Sequence, residues 1–349
     1  MERKPMERIE SVKNPRVKAA RALHTVKGRD ESGMFLCEGE HMVREAVRAI
    51  GAAYALSSSF ALGSSFAIDT LFVDESMEDK YLDLIGDAHA GHAFLVPAHV
   101  LSAVSAVKSP QGIAAVVRLQ VPPVTRRSYL GMLEGQELPD FADDVETSPP
   151  FAGGDSELSE NEALPDSWDP DEDLTDDGDA PAAWSENLPP PEDDAVSPSV
   201  LGDKLVLLEN VQDPGNVGAI LRTMDGAGFS GAILSPGCAD PFSPKALRAT
   251  MGAVFRVPTM QAENAAFTAA ALVKEGYAVV AAALDGEDFF TRKPLPQKVC
   301  LIIGNEGAGI TRETLAAATH RYRLPMKGGA ESLNAAAAAA IMIYEISYR

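Results

Sequence analysis

The sequence predicts an α/β protein in two folded parts, and three observations carry that expectation. After residue 203, short apolar strands alternate with helical patterns, at 204–208, 231–234, 277–283, 298–303 and 321–324. Such alternation implies a mainly parallel sheet covered by helices. Before residue 120 a shorter series of strands and helices gives a small α/β domain. Between the two, residues 128–202 hold 22 Asp and Glu, no Lys or Arg, and many prolines. A chain of that composition cannot bury enough apolar surface to offset its ordering entropy, so it reads as a disordered acidic linker. The expected parts are therefore 1–120, the linker 128–202, and 203–349.

In the first part, 34–36 reads as a strand entering a turn at Glu38-Gly39. Residues 40–50 carry apolar side chains at 42, 43, 46, 47 and 50, which is helical spacing. Short buried strands follow at 70–73 and 93–96, then a helix over 98–107 and a closing strand over 112–119. His89 and His92 are the only candidate metal pair, and no cysteine or second histidine pair accompanies them. They read as a surface loop, with no metal expected.

The formal net charge of −21 argues against a nucleic-acid partner only until it is located. The linker holds 22 of the 51 acids, which leaves 29 against all 30 basic residues elsewhere, or +1. Residues 1–30 carry nine Lys and Arg against four acids, a basic region suited to phosphate. Phe141, Phe151, Trp168 and Trp184 scatter through the linker as docking points for an unidentified partner, with a solubilising spacer as the plainer role. Residues 1–10 alternate acids and bases without an apolar run, so no secretory signal is expected. The apolar run 335–344 is too short to span a bilayer, so no membrane partner is expected either. The unpaired, widely spaced Cys37, Cys238 and Cys300 suit free thiols in a reducing cytoplasm.

Ligands of open parallel sheets collect at the carboxyl ends of the strands, and the unusual residues of this chain lie there. After strand 204–208 comes Glu209-Asn210-Val211-Gln212-Asp213-Pro214-Gly215-Asn216, continuing to Arg222. Asp213 is placed to cap a helix and Pro214 to occupy its first turn, where a missing N–H costs nothing. Val217, Ile220, Leu221 and Met224 form one apolar stripe, which leaves Asn216 and Arg222 free for polar work. After strand 298–303 comes the glycine-rich turn Gly304-Asn305-Glu306-Gly307-Ala308-Gly309, which allows close approach of backbone to a ligand. Its spacing is neither a dinucleotide fingerprint nor a P-loop. The last constellation runs from Leu324 through Met326 to Ser332-Leu333-Asn334, followed by an alanine-rich helix for which Ser332 is the expected cap. The small residues 335–340 suit a tightly packed or dimeric helix interface.

Asn216-Val217-Gly218-Ala219-Ile220-Leu221-Arg222, Gly304-Asn305-Glu306-Gly307 and Ser332-Leu333-Asn334, in this order, resemble the three motifs of the SpoU/TrmH family of RNA 2′-O-ribose methyltransferases, of the SPOUT superfamily. Residues 243–253 also resemble that family, so the likeness covers nearly all of 204–349. Phe35-Leu36-Cys37-Glu38-Gly39 and Ser109-Pro110-Gln111-Gly112-Ile113 are similar to its RNA-gripping substrate domain. The resemblance implies a trefoil-knotted parallel-sheet domain and a cytoplasmic homodimer using S-adenosylmethionine. It places the cofactor against Gly304, Asn305, Glu306, Gly307, Leu324, Met326, Ser332, Leu333 and Asn334. It also implies that Arg222 orients or activates the ribose hydroxyl while Asn216, Glu306 and Asn334 order the site. Arginine stays protonated in proteins, which favours electrostatic positioning over proton abstraction. The implied target is RNA, 23S ribosomal RNA first and transfer RNA second. A non-catalytic RNA-binding protein of the same fold is the alternative, against which the retained Asn216, Arg222, Glu306 and Asn334 argue. The long acidic insertion departs from the brief domain junction usual in the family.

Overall fold

A computed structural model describes residues 6–55, 66–88, 90–119 and 197–349. The acidic segment up to residue 196, including Phe141, Phe151, Trp168 and Trp184, lies outside the described residues, as does His89; His92 is exposed on its strand.

The amino-terminal part is a five-stranded mixed sheet in the order β1-β4-β3-β5-β2. Its strands are β1 (Glu7–Arg8), β2 (Met34–Glu38), β3 (Phe66–Asp74), β4 (His92–Val96) and β5 (Ile113–Leu119). α1 (Pro15–Ala22) and α5 (Ala98–Val104) bury Val17, Ala20, Val100, Leu101 and Val104 against one face. On the other face α3 (Glu40–Ala55) buries Met42, Val43, Ala46, Val47 and Ile50, the stripe that the spacing predicts. α2 (Val26–Ser32) and α4 (Leu82–Asp87) complete this part. The helix expected over 98–107 stops at Val104 because Ser105 turns its hydroxyl, and Ala106 its N–H, onto the carboxylate of Glu38.

The carboxy-terminal part is a six-stranded, wholly parallel sheet in the order β11-β9-β10-β6-β7-β8. β6 (Lys204–Leu208) and β7 (Gly231–Leu234) have the bounds read from the sequence. β8 (Thr259–Gln261) is a three-residue edge strand that the sequence reading misses. β9 (Ala278–Asp288) runs five residues beyond its expected end, because Glu287 and Asp288 pair with Tyr322 and Arg323 after a register shift in β11 (His320–Arg323). β10 (Val299–Ile303) sits between β9 and β6.

Side chains alternate across this sheet. Val206, Leu208, Leu301 and Ile303 meet α6 (Pro214–Ala227) and α10 (Ala335–Tyr348) on one face. Leu205, Leu207, Cys300 and Ile302 meet α8 (Ala265–Lys274) on the other. α7 (Pro244–Thr250) lies against α6 so closely that a Cβ on Gly218 would stand 2.5 Å from the Ala246 carbonyl oxygen. α9 (Arg312–Ala317) follows the β10 loop.

Two sequence expectations are corrected here. The sequence places the end of the linker at 202, yet Pro198–Leu201 form a 3₁₀ turn whose Pro198 and Leu201 are buried, Leu201 against Gly231 at the start of β7. The cap of α10 is Asn334 and not Ser332, because Asn334 Oδ1 accepts from the N–H groups of Ala336 and Ala337 at 2.9 and 3.2 Å.

The two parts share a core. Phe242, Leu247, Val254 and Phe255 pack into the cluster of Phe35, Val43 and Ile68, with the Phe35 and Phe242 rings 4.8 Å apart. Arg29 of α2 donates to Asp240 at 2.6 Å, both side chains being buried, and Arg256 bridges Glu45 of α3 and Asp225 of α6. The amino-terminal sheet is thus fixed to the parallel sheet by apolar contact and by paired charge.

Candidate active site

Three loops at the carboxyl ends of β6, β10 and β11 meet at the amino end of α6. Asp213 caps that helix, its Oδ1 accepting from Gly215 and Asn216 N–H groups at 2.5 and 3.2 Å, with Pro214 at the first helical position as expected. Val217, Ile220, Leu221 and Met224 are all fully buried, so the helix is held by its apolar stripe and Asn216 stays at the rim. Asn216 Nδ2 donates to Glu306 Oε1 at 2.8 Å, and Asn216 Oδ1 accepts from Asn334 Nδ2 at 3.0 Å. One residue from each motif is therefore tied into a single chain, and the amide of Asn216 has a determined orientation.

Glu306 also accepts from the backbone N–H groups of Gln212 and Asp213, each at 3.3 Å. Partial burial alone would raise its carboxyl. The hydrogen bond from Asn216 and those from the backbone outweigh that effect and hold it below the usual glutamate range. Asn305 anchors the same loop from the other side. Its Nδ2 donates to the Asn210 carbonyl at 2.8 Å, while its Oδ1 accepts from Gly307 and Ala308 N–H groups at 2.9 Å. Gly304 is required by close approach, since a Cβ there would stand 2.5 Å from both the Gly309 oxygen and the Ile310 nitrogen.

Asn210, at the end of β6, has a structural role that the motif alone does not assign. It adopts a left-handed backbone, φ 53°, which asparagine tolerates better than most residues, and this turns its carbonyl to Asn305. A strand end followed by Asn and a capping Asp is the signal that marks such a turn. Lys245, also unassigned from sequence, pairs with Asp213 at 3.0 Å beside the helix start.

The predicted cofactor residues fall along two adjoining loops. Glu306 and Gly307 are exposed, Gly304 and Asn305 half-buried, and Leu324 and Met326 half-buried beyond β11. Ser332, Leu333 and Asn334 are exposed on the approach to α10. Residues 324–334 form neither helix nor strand, so none of their main-chain groups is committed to a sheet ladder, although the Asn334 carbonyl accepts from Ala338 at the start of α10. Apolar Leu324, Met326 and Leu333, a glycine turn without side chains, and one ionised carboxylate make a donor set that fits a cationic, adenine-bearing cofactor. Among the described residues no group of three or more His, Cys, Asp or Glu is placed to hold a metal ion.

Arg222 is not brought into this chain of hydrogen bonds. It is exposed on α6, about 9 Å further along the helix axis than Asn216 at 1.5 Å per residue. Among the described residues no carboxylate forms a salt bridge with it.

Residues 203–344 match the SpoU rRNA Methylase family and residues 14–56 the MRM3-like substrate binding domain. The chain is 28% identical over 342 residues to the Bacillus subtilis 23S rRNA (guanosine(2553)-2′-O)-methyltransferase RlmP, covering 98% of this chain and 99% of that relative. An uncharacterized tRNA/rRNA methyltransferase of Synechocystis sp. is 25% identical, over 97% of this chain and 92% of its own. Among solved structures, the AdoMet-bound rRNA methyltransferase from Sinorhizobium meliloti superposes with a TM-score of 0.64 at 27% identity, over 98% of this chain and 97% of that one. With three motif loops joined at one helix end and matches falling in both folded parts, residues 203–344 of the chain are a domain of the SpoU rRNA Methylase family, whose cofactor is S-adenosylmethionine.

Proposed function

We propose that this chain methylates a ribose 2′-hydroxyl of large-subunit (23S) ribosomal RNA, as a cytoplasmic homodimer. The observation that carries the reading is the chain Asn334–Asn216–Glu306, which joins the three motif loops into one polar site beside a glycine turn and apolar loop residues. The near full-length likeness to a 23S ribosomal RNA methyltransferase supports the choice of RNA.

When bound, S-adenosylmethionine supplies an electrophilic methyl group; Gly304, Asn305, Glu306, Gly307, Leu324, Met326, Ser332, Leu333 and Asn334 would hold it. A ribose hydroxyl is a poor nucleophile near neutral pH, so the protein must place it and ease loss of its proton. Asn216, clamped on both amide atoms, orders the polar rim. Arg222, exposed and without a carboxylate partner among the described residues, has its charge available for the hydroxyl oxygen and the neighbouring RNA phosphate. Its distance from Asn216 suits a role on RNA rather than on the cofactor loops.

The amino-terminal part suits the RNA. Residues 11–29 contain Lys13, Arg16, Lys18, Arg21, Lys27 and Arg29 and no acid. Lys13, Lys18, Arg21 and Lys27 are exposed, while Arg29 is spent on Asp240. Ala239, next to Asp240, donates its N–H to Val211 in the first motif loop at 2.9 Å, so the basic surface is fixed relative to the site. For the dimer, α10 leaves Ile341, Tyr344 and Tyr348 exposed on one helix.

The test is methyl incorporation from labelled S-adenosylmethionine into ribosomal and transfer RNA taken separately from cells lacking the protein. Label confined to the large ribosomal RNA supports the reading; label confined to transfer RNA replaces the substrate.

A further inference from the structure

The motif reading leaves one buried acid of the site region without a role. Glu209 directly follows β6 and is 6% exposed. Its N–H donates to the Ile303 carbonyl at 2.9 Å, adding a rung to the β6–β10 ladder just before the chain enters the cofactor loop. Its carboxylate accepts three hydrogen bonds: Thr311 N–H at 3.1 Å on Oε2, and the hydroxyls of Thr311 and Thr314, both at 2.7 Å, on Oε1. Thr314 is 1% exposed. Among the described residues no Lys or Arg forms a salt bridge with Glu209, so these donors are what make its burial tolerable.

The loop 304–311 is thereby held at three points by one continuous stretch of chain. Near its start, Asn305 donates to the Asn210 carbonyl; in its middle, Glu306 accepts from Gln212 and Asp213; at its far end, Thr311 donates twice to Glu209. Between the last two anchors lie exposed Gly307, Ala308 and Gly309, the last with a φ of +73°. Gly307, Ala308 and Gly309 donate their N–H groups back to Asn305, so the turn is closed on itself, and Thr311 is where its far end is tied to the end of β6. Thr311 also caps α9, its hydroxyl accepting from the Thr314 N–H at 3.3 Å, so the carboxylate orients the cap as well as the loop.

We propose that Glu209 is a positioning residue for the cofactor loop, acting through Thr311 and Thr314 and touching neither cofactor nor RNA. The proposal rests on the assignment of 304–307 to the cofactor. It explains why an acid that makes no ion pair follows β6 directly. It also separates two jobs done by neighbouring carboxylates, since Glu306 faces the rim and Glu209 closes the loop from beneath.

The experiment is calorimetric titration of S-adenosylmethionine into the full-length wild type and into Glu209→Ala, Glu209→Gln and Thr314→Val, with thermal unfolding and RNA affinity measured alongside. Glu209→Ala is expected to weaken cofactor binding about tenfold, the loss expected of one or two hydrogen bonds, while RNA affinity stays within about twofold. Glu209→Gln should fall between, because its amide oxygen can still accept from the Thr311 N–H and its NH2 can donate to the threonine hydroxyls, but the stronger bonds to a charged carboxylate are lost. Thr314→Val should weaken binding about threefold, and should add nothing further in the Glu209→Ala background, as coupled partners require. Unchanged cofactor affinity in a folded Glu209→Ala protein overturns the proposal, whatever its melting temperature. If that variant fails to fold, unchanged affinity in both Glu209→Gln and Thr314→Val overturns it. A wild type that binds no S-adenosylmethionine overturns the cofactor assignment itself, a result separable from the others.

Discussion

Asn216 Nδ2 lies 2.8 Å from Glu306 Oε1 across 90 residues of chain, and Asn216 Oδ1 receives Asn334 at 3.0 Å. A single amide on the rim of α6 thus holds together the loops that follow β10 and β11.

The first prediction concerns pH. Hydrogen bonds hold the Glu306 carboxyl below its ordinary value of 4.5. A depressed folded-state value means that the ionised group contributes stability above the ordinary glutamate range and loses it as pH falls through the lower, folded value. Cofactor affinity of the wild type, titrated by calorimetry, should therefore show no Glu306-dependent loss between about pH 7 and 5. A decline in that window that Glu306→Gln abolishes would contradict the assigned network.

The second concerns Arg222, which is exposed and outside the hydrogen-bonded chain. Arg222→Ala should keep cofactor affinity while methyl transfer falls at least ~100-fold, the low end for a positioned group acting on a proton. Single-turnover transfer with saturating cofactor reads this directly, and unchanged turnover removes Arg222 from the chemistry.

The third concerns the junction of the two sheets. Arg29 and Asp240 are 3% and 7% exposed, and burial holds the Asp240 carboxyl above its ordinary range despite the adjacent guanidinium. Arg29→Met alone should cost about 3–5 kcal/mol in urea unfolding, because it strands a buried charge. Replacing both partners, with Asp240→Leu, should recover most of that loss. A single variant as stable as the wild type would show that the pair is not buried as described.

The fourth concerns the basic surface of α1. Lys18 and Arg21 are exposed one helical turn apart. If each meets an RNA phosphate, the salt dependence of RNA affinity should flatten by roughly 0.7 in log–log slope for each residue changed to alanine. An unchanged slope in the double variant places the RNA elsewhere.

The sequence made the catalytic part legible because its signals are local. The bounds of β6 and β7 followed from apolar runs, the buried stripe of α6 from its period, and the Asp213 cap from its place before Pro214. The union of Asn216, Glu306 and Asn334 came from motif resemblance, not from period or spacing. What stayed hidden is long-range. Nothing local to Phe242 and Phe255 marks them as filling the core of the other sheet. The role of Glu209 depends on threonines more than a hundred residues away, and no pattern links them. Ser332 looked like the cap of α10 because serine is a good cap, but Asn334 takes that place while also bonding Asn216. β8, three residues long at the sheet edge, carries too little period to be seen.

The central claim is that the methyl group reaches a ribose oxygen. The most direct measurement is complete digestion of RNA labelled by the purified protein to nucleosides, followed by chromatography of the label. Recovery in one 2′-O-methylnucleoside, with its 3′ linkage resistant to alkali and absent with Arg222→Ala, is the predicted result. Recovery in a base-methylated nucleoside, or no label despite measurable cofactor binding, would contradict it.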